Sequence, residues 1–93
     1  MVVVRLPGVL RPKAEDRAEV EVDVPAGTTL GEVLDVLAER HPGLERKLRD
    51  EQGDLRRYVN FYVDGEECRR LGGKDTPLPA GAVVQIIPSV AGG

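Results

Sequence analysis

The chain has 93 residues, of which 13 are Lys or Arg and 16 are Asp or Glu, so its formal net charge is −3 at pH 7. One domain fits this length, and 41% hydrophobic residues are too many for an intrinsically disordered chain. The acidic balance argues against a general binder of nucleic acid or of anionic membranes. A single cysteine leaves no internal disulfide, and the apolar run at residues 2–4 is too short for a signal peptide or a membrane span. We therefore expect a cytoplasmic protein.

Two short segments near the start of the chain are predicted to form paired strands. Residues 2–6 are rich in valine and end at Pro7-Gly8, which interrupts regular structure. Residues 18–24 alternate between small apolar and acidic side chains, and this period of two indicates a strand with one buried face. We expect the two strands to pair across a loop at residues 7–17.

The next segment has the features of an amphipathic helix. Thr29 and Glu32 have the spacing of a capping box, in which each side chain satisfies a backbone amide at the start of the helix. His41-Pro42-Gly43 is expected to end the helix, and residues 43–51 are expected to add a short second helical turn. The residues at helical spacing that should face the core are Leu30, Val33, Leu34 and Leu37.

The second half of the chain is predicted to contain three strands. Residues 58–63 give the strongest strand pattern, and Asp64-Gly65 favours a two-residue hairpin turn that leads into a returning strand at 66–71. Residues 72–81 form a loop. Residues 82–87 are apolar on both faces, which predicts a strand that is central or whose outer face contacts a partner. The strand should end before Pro88. The order of elements predicts an α+β domain at residues 1–87 and a flexible tail at 88–93.

No residue pattern in the chain is typical of a catalytic or metal site. His41 stands alone at a helix end, and Cys68 has no basic partner nearby in the sequence. His and Cys residues do not have the spacing of a zinc site. Gly72-Gly73-Lys74 resembles the end of a phosphate-binding loop, but Asp75 follows where that loop needs Ser or Thr. We therefore expect neither an enzyme nor a protein that binds a metal or cofactor by itself.

The C-terminal residues are the most informative feature for function. The chain ends in Gly92-Gly93, a few residues after Pro88. Glycines lack bulky side chains, so such a segment can enter a narrow channel in another protein. A glycine carboxylate also has no Cβ to hinder attack at its carbonyl carbon, but it becomes reactive only after activation, for example by adenylation. This chain has no nucleotide site, so a second protein would have to supply one.

In the order of its predicted strands and helix, and in its C-terminal Gly92-Gly93, the chain resembles the ThiS/MoaD family of ubiquitin-like sulfur carriers. The resemblance covers nearly the whole chain and rests on residues 20–24, 28–30, 59–65, 78–81 and 86–93. Residues 9–12, 55–63 and 90–93 are most similar to the CysO branch of actinobacterial cysteine synthesis. It implies a β-grasp fold with a mixed sheet of four to five strands and one main helix. Gly93 would be the site of adenylation and of the thiocarboxylate, while Gly92, Ala91 and Val90 would lie in the partner's active site.

The resemblance also implies partner proteins. An activating enzyme of the MoeB/ThiF/MoeZ type would use ATP, a sulfurtransferase or sulfide would supply the sulfur, and a synthase would accept it. Cysteine synthesis is the preferred pathway, with thiosugar, thiamine or molybdopterin synthesis as other possible destinations. We expect the free carrier to be a monomer that binds neither nucleic acid nor membranes.

The sequence also leads to expectations about the docking surface and about two alternative functions. The sheet face opposite the helix should contact the partners, through Tyr58, Tyr62 and Ile87. The same C-terminus would also suit a ubiquitin-like modifier that is conjugated to lysine side chains through Gly93. The remaining alternative is a plain β-grasp interaction module whose C-terminus takes no part in any chemistry.

Overall fold

The computed structural model describes residues 1–88, so the predicted site residues 90–93 lie outside the described part of the chain. Short 3₁₀ helices connect the regular elements at Gly8–Ala14, Cys68–Arg70 and Gly73–Asp75. No helix in this part of the chain is long and apolar enough to cross a membrane. The regular elements are β1 (Val2–Arg5), β2 (Glu19–Val22), α1 (Leu30–Arg40), α2 (Pro42–Leu48), β3 (Val59–Val63), β4 (Glu66–Glu67) and β5 (Val83–Pro88).

The strands form one mixed five-stranded sheet in the order β2-β1-β5-β3-β4. β5 runs parallel to β1 and antiparallel to β3, and the two hairpins β1–β2 and β3–β4 are antiparallel. The last strand is therefore central, which is one of the two outcomes that its apolar pattern predicted. The α+β class and the mixed sheet of the β-grasp fold are confirmed.

The core lies between the sheet and the two α-helices. From β3, Val59, Phe61 and Val63 are buried, while the residues between them are partly exposed, so the predicted alternation is correct. α1 buries the four predicted apolar residues, from Leu30 to Leu37. Each large side chain of this kind stabilises the fold by about 1.5–3 kcal/mol when it is removed from water.

The start of α1 is held by the predicted capping box. The amide of Glu32 donates a hydrogen bond to Thr29 Oγ1 at 3.2 Å, and the amide of Thr29 donates to Glu32 Oε1 at 2.9 Å. α1 ends at Arg40, and Pro42 then occupies the first turn of α2, where its missing N–H costs nothing. α2 is shorter than expected, because Asp50 Oδ1 accepts hydrogen bonds from the amides of Gln52 and Asp54 and so stabilises a turn there.

The loop predicted at residues 7–17 contains a 3₁₀ helix, Gly8–Ala14. Leu10 and Ala14 are buried on it, although Pro12 lies within the segment. β1 and β2 are each shorter than predicted. The chain leaves β1 to enter the 3₁₀-helical segment and leaves β2 to enter the turn before Thr29, so the predicted ends of both strands lie outside the sheet. The pairing of the two strands is as expected, with Val4 opposite Val20.

The strand predicted at residues 66–71 is wrong beyond its first two residues. Asp64 and Gly65 adopt φ values of 49° and 89°, as the hairpin turn requires, but β4 ends at Glu67. The amide of Arg69 donates to Glu67 Oε2 at 3.0 Å, and this local bond favours a 3₁₀ helix over a continued strand.

The last strand is shifted by one residue from the prediction. It begins at Val83 rather than at residue 82, and it includes Pro88, which lies opposite Val59. A proline can occupy the final position of a strand because the ladder needs no further donor from it there. The division into a domain and a flexible tail stays a prediction, since residues 89–93 are outside the described part.

Candidate functional site at the end of the central strand

The candidate site is the surface around Pro88, the last described residue before the predicted C-terminal site. Pro88 lies opposite Val59, and the preceding Ile87 lies opposite Asn60. Ile87 is 40% exposed, which is unusual for a large aliphatic side chain on a central strand. The last residues before the C-terminus therefore continue from a strand whose neighbours on β3 are well defined.

Arg69 holds the part of the chain next to that strand end. Its Nη1 donates to Asn60 Oδ1 and to Glu67 Oε1, each at 3.1 Å. Its Nη2 donates to the carbonyl oxygens of Arg56 at 3.0 Å and Val59 at 3.1 Å. One guanidinium thus connects the 3₁₀ helix after β4, the turn before β3 and β3 itself. This role of Arg69 was not predicted, because no local sequence pattern indicates which distant carbonyl oxygens a surface arginine will reach.

The open face of the sheet, opposite the helices, is mainly polar. The strand registers place one row of side chains across it, and Arg5 Nε lies 2.9 Å from Glu19 Oε2 at one end of that row. Tyr62 is half-buried and lies in this row between Glu67 of β4 and Gln85 of β5. In order across the sheet, the row is Glu19, Arg5, Gln85, Tyr62 and Glu67.

The three predicted docking residues do not share one surface. Tyr62 and Ile87 lie on the open face, at β3 and β5 positions that alternate with buried ones. Tyr58 is 49% exposed, but it precedes the strand in a turn that is closed by a hydrogen bond from the Val59 amide to the Arg56 carbonyl. That turn breaks the alternation on which the prediction depended, so Tyr58 lies instead beside residues of α2. The role of all three residues in docking stays a prediction.

The sequence offered two isolated candidates for catalysis, His41 and Cys68, and both occupy structural positions in the fold. His41 is the residue between α1 and α2. Cys68 is fully buried, and burial, followed by the nearby charge of Glu67, raises the pKa of its thiol. A buried protonated thiol is a poor nucleophile. Within residues 1–88, no three His, Cys, Asp or Glu side chains are grouped so that they could hold a metal ion.

Comparison with known proteins identifies the family. The ThiS family model matches residues 4–93. The chain belongs to the ThiS family. The predicted resemblance to the ThiS/MoaD carriers is therefore confirmed, and it extends over nearly the whole sequence.

The proteins to which this chain is similar are small and close to it in length. The sulfur carrier protein CysO of Mycobacterium tuberculosis is 38% identical over 94 residues, covering 99% of this chain and 98% of that protein. A chain in the crystal structure of the Amycolatopsis orientalis BexX/CysO complex superposes with a TM-score of 0.88 at 34% identity, over 100% of both chains. Small archaeal modifier protein 1 of Haloferax volcanii is 35% identical over 74 residues, 80% of each chain.

These relatives decide the general class of the chain. It is a ubiquitin-like protein of the sulfur carrier type rather than an enzyme. Proteins of this type work with partner proteins, and one of the structural neighbours is seen in such a complex. The surface at the end of β5 is therefore the part of this domain to consider for contact with a partner protein.

Proposed function

We propose that this carrier is adenylated at Gly93 by an activating enzyme of the MoeB/ThiF/MoeZ type and is then converted to a thiocarboxylate that donates its sulfur to a biosynthetic acceptor. The observation that carries the proposal is the match to the ThiS family through Gly93, together with 38% identity to a sulfur carrier over nearly the whole chain. As the C-terminal residue, Gly93 after Gly92 would supply the unhindered carboxylate that this chemistry needs.

The reaction has two balanced steps. A carboxylate oxygen of Gly93 attacks the α-phosphorus of ATP, which gives an acyl-adenylate and releases pyrophosphate. Sulfide then attacks the acyl carbon, AMP leaves, and Gly93 carries a thiocarboxylate. If a sulfurtransferase persulfide replaces sulfide, a second thiol must cleave the resulting acyl disulfide. Gly92, Ala91 and Val90 would occupy the channel of the enzyme during these steps.

The ATP site belongs to the activating enzyme in this proposal. The segment that resembled a phosphate-binding loop forms a 3₁₀ helix, Gly73–Asp75, in which Lys74 Nζ lies 3.0 Å from Asp54 Oδ1. A lysine that is already paired with a carboxylate, next to Asp75, is poorly suited to hold a triphosphate. This favours a carrier that presents its C-terminus and leaves nucleotide chemistry to its partner.

The open sheet face is the proposed docking surface for the partners. Its aromatic anchor is the half-buried Tyr62 and its aliphatic anchor is the exposed Ile87, which directly precedes Pro88. Tyr58 would contribute from the adjoining turn. Aromatic and aliphatic anchors of this kind supply much of the binding energy of protein interfaces. The acceptor that we favour is the activated serine of a PLP-dependent synthase of cysteine formation; thiosugar, thiamine and molybdopterin synthesis use the same carrier chemistry.

The test is a mass measurement of the intact protein after incubation with ATP, sulfide and a purified activating enzyme of this type. We expect one oxygen to be replaced by sulfur, with the change localised to Gly93. A variant that lacks Gly93 should gain nothing, whereas Cys68→Ala should load like the unaltered protein because its thiol takes no part. Full loading of the variant without Gly93 would refute the proposal.

A second function is conjugation to proteins, which the similarity to small archaeal modifier protein 1 favours. The same adenylate would then be attacked by a lysine amine of a target, which gives an isopeptide bond at Gly93. Peptides from digested cell lysate that carry Gly92-Gly93 on a lysine would support this function. If removal of both glycines changes neither sulfur transfer, conjugation nor partner binding, the chain acts as a plain interaction module.

A further inference from the structure

A basic groove lies beside the turn that precedes β3. It has a volume of about 690 Å³ and lies between the end of the first 3₁₀ helix, α2 and that turn. No carboxylate lines it, although the chain as a whole has a net charge of −3. Its cationic side chains are Lys13, Arg46, Lys47 and Arg56; Tyr58 forms its aromatic wall.

The basic groove brings together four of the eight basic side chains that have no carboxylate within ion-pair distance in residues 1–88. Elsewhere in the described part of the chain, five basic side chains lie within ion-pair distance of a carboxylate, and those five are Arg5, Arg17, Arg49, Arg69 and Lys74. Within residues 1–88, none of the four groove cations does so. Glu45, Asp50 and Glu51 line an adjoining depression together with Arg46 and Arg56, so the charge inside the groove is carried most purely by Lys13 and Lys47. A groove lined by charges of one sign attracts a partner surface of the opposite sign.

The groove is also partly organised. Arg56 Nε donates to the carbonyl oxygen of Arg46 at 2.6 Å, and the Arg56 guanidinium carbon lies 5.9 Å from the centre of the Tyr58 ring. Across the groove, the aliphatic part of Lys13 packs so closely on Gly43 that a Cβ there would come within 3.3 Å of Lys13 Cδ. These contacts keep the cations on three separate elements facing one depression.

The chemistry of the groove favours a carboxylate-rich protein segment as its occupant. Lys13 extends from the first 3₁₀ helix and Arg46 and Lys47 extend from α2, and all three are exposed. The groove is therefore broad and lacks the buried donors of a phosphate site. A long polyanion such as RNA would also meet the net negative charge of the rest of the domain. A protein segment with a few carboxylates interacts over a short range and can use the Tyr58 ring as well.

The position of the groove connects it to the C-terminus. Tyr58 precedes Val59, and Val59 lies opposite Pro88, the last described residue of β5. We propose that the basic groove docks an acidic segment of the enzyme that activates the C-terminal glycine. The identity of that enzyme rests on the proposed function, whereas the location and the sign of the contact rest on the groove itself.

The decisive variants reverse charge inside and outside the groove. Lys13→Glu/Lys47→Glu alters two exposed groove lysines for which no hydrogen bond or ion pair is seen within residues 1–88. Arg17→Glu/Arg70→Glu changes the net charge equally at exposed sites that do not line the groove. The milder Lys13→Gln/Lys47→Gln serves if the first variant folds poorly, and circular dichroism establishes folding for each.

The first measurement is the loading of each variant at low salt by the purified activating enzyme. We expect kcat/KM for the carrier to fall about tenfold or more in the groove variant, with kcat at saturation retained, since electrostatic steering changes encounter rates by 10–10³. The control should stay within about twofold. The difference should shrink as salt screens the charges. Equal kcat/KM for both variants at every salt concentration would overturn the inference while leaving Gly93 loading, and hence the proposed function, intact.

The second measurement uses defined probes and no enzyme. A synthetic Glu-rich peptide added to ¹⁵N-labelled protein should shift the backbone amides of residues 43–47 and 56–58, and its Gln counterpart should not. The shifts should disappear in the groove variant and persist in the control. Tighter binding of inorganic phosphate or of RNA at the same amides would assign the groove to phosphate ligands instead. Shifts that depend on protein concentration alone would assign it to a second copy of the chain, and either result would refute the proposal.

Discussion

Arg69 Nη1 lies 3.1 Å from the side-chain oxygen of Asn60, and Asn60 is the residue opposite Ile87 on the central strand. The same guanidinium reaches the Val59 carbonyl, and Val59 lies opposite Pro88. The end of β5 is therefore supported through β3 by a side chain from the 3₁₀ helix that follows β4. That relationship makes Arg69 the first residue to test for its effect on the strand end.

Arg69→Ala should lower the free energy of unfolding by about 1–2 kcal/mol, because several hydrogen bonds are lost but the group is partly exposed. Urea denaturation measures this change. Hydrogen exchange should become faster at the amides of Val59 and Asn60 than in the rest of the sheet. The neighbouring Arg70→Ala is the matched control and should change stability by less than about 0.5 kcal/mol. Equal effects of the two variants would contradict the support that we assign to Arg69.

Thr29→Ala should destabilise the domain by about 1 kcal/mol, because the first turn of α1 loses the hydroxyl that accepts the Glu32 amide. Thr29→Ser keeps that acceptor and should retain most of the stability. Thermal denaturation of the three proteins measures the difference. If serine is as harmful as alanine, the packing of the threonine methyl group rather than the cap is responsible.

Ile87→Asp should raise KM for the carrier in the activation reaction, since it places a charge on the proposed docking face beside the end of β5. We expect at least a tenfold loss of kcat/KM, the size that a truncated interface anchor commonly costs. Val9→Asp is the control, because Val9 is 73% exposed and lies outside that face. Equal activation of the two variants would place the docking surface elsewhere.

Stability should fall at alkaline pH through Cys68. Burial raises the pKa of its thiol in the folded state, so the unfolded chain loses its proton first. The stabilisation is complete below the thiol pKa of the unfolded chain and is lost as pH rises through the higher pKa of the folded state.

Urea denaturation from neutral pH to above pH 9 tests this expectation by comparing the protein with Cys68→Ala. The variant should lack the part of the alkaline loss that the thiol contributes, although its stability at neutral pH is lower because a buried side chain is shortened. Parallel pH profiles would show that the thiol does not contribute.

The parts of the fold that the sequence predicted well are those encoded by local periodicity. The alternation in β3, the apolar spacing of α1 and the Thr29–Glu32 capping box each depend on residues a few positions apart. The central position of β5 was one of two outcomes that its apolar pattern predicted, and Ile87 on its outer face is still 40% exposed. Membership of the ThiS family followed from the order of these elements and from the C-terminal glycines.

The parts that could not be predicted depend on long-range hydrogen bonds and on groups that meet only in three dimensions. A returning strand was expected through Arg69, but that side chain bonds to distant carbonyls from within a 3₁₀ helix. Tyr58 was assigned by alternation to the open face, yet the turn before β3 places it beside α2. The basic groove combines Lys13 with cations more than thirty positions further along the chain, so the sequence showed only dispersed charges.

The central place of β5 has a consequence for synthesis. Among residues 1–88, the sheet connects β1 with β3 only through β5, so residues up to Pro88 must be available before the sheet can close. A nascent or truncated chain would expose the inner edges of two hairpins and offer no finished surface to an enzyme. If the proposed loading at Gly93 requires the folded sheet, chains that have not yet placed β5 between the two hairpins should not be loaded.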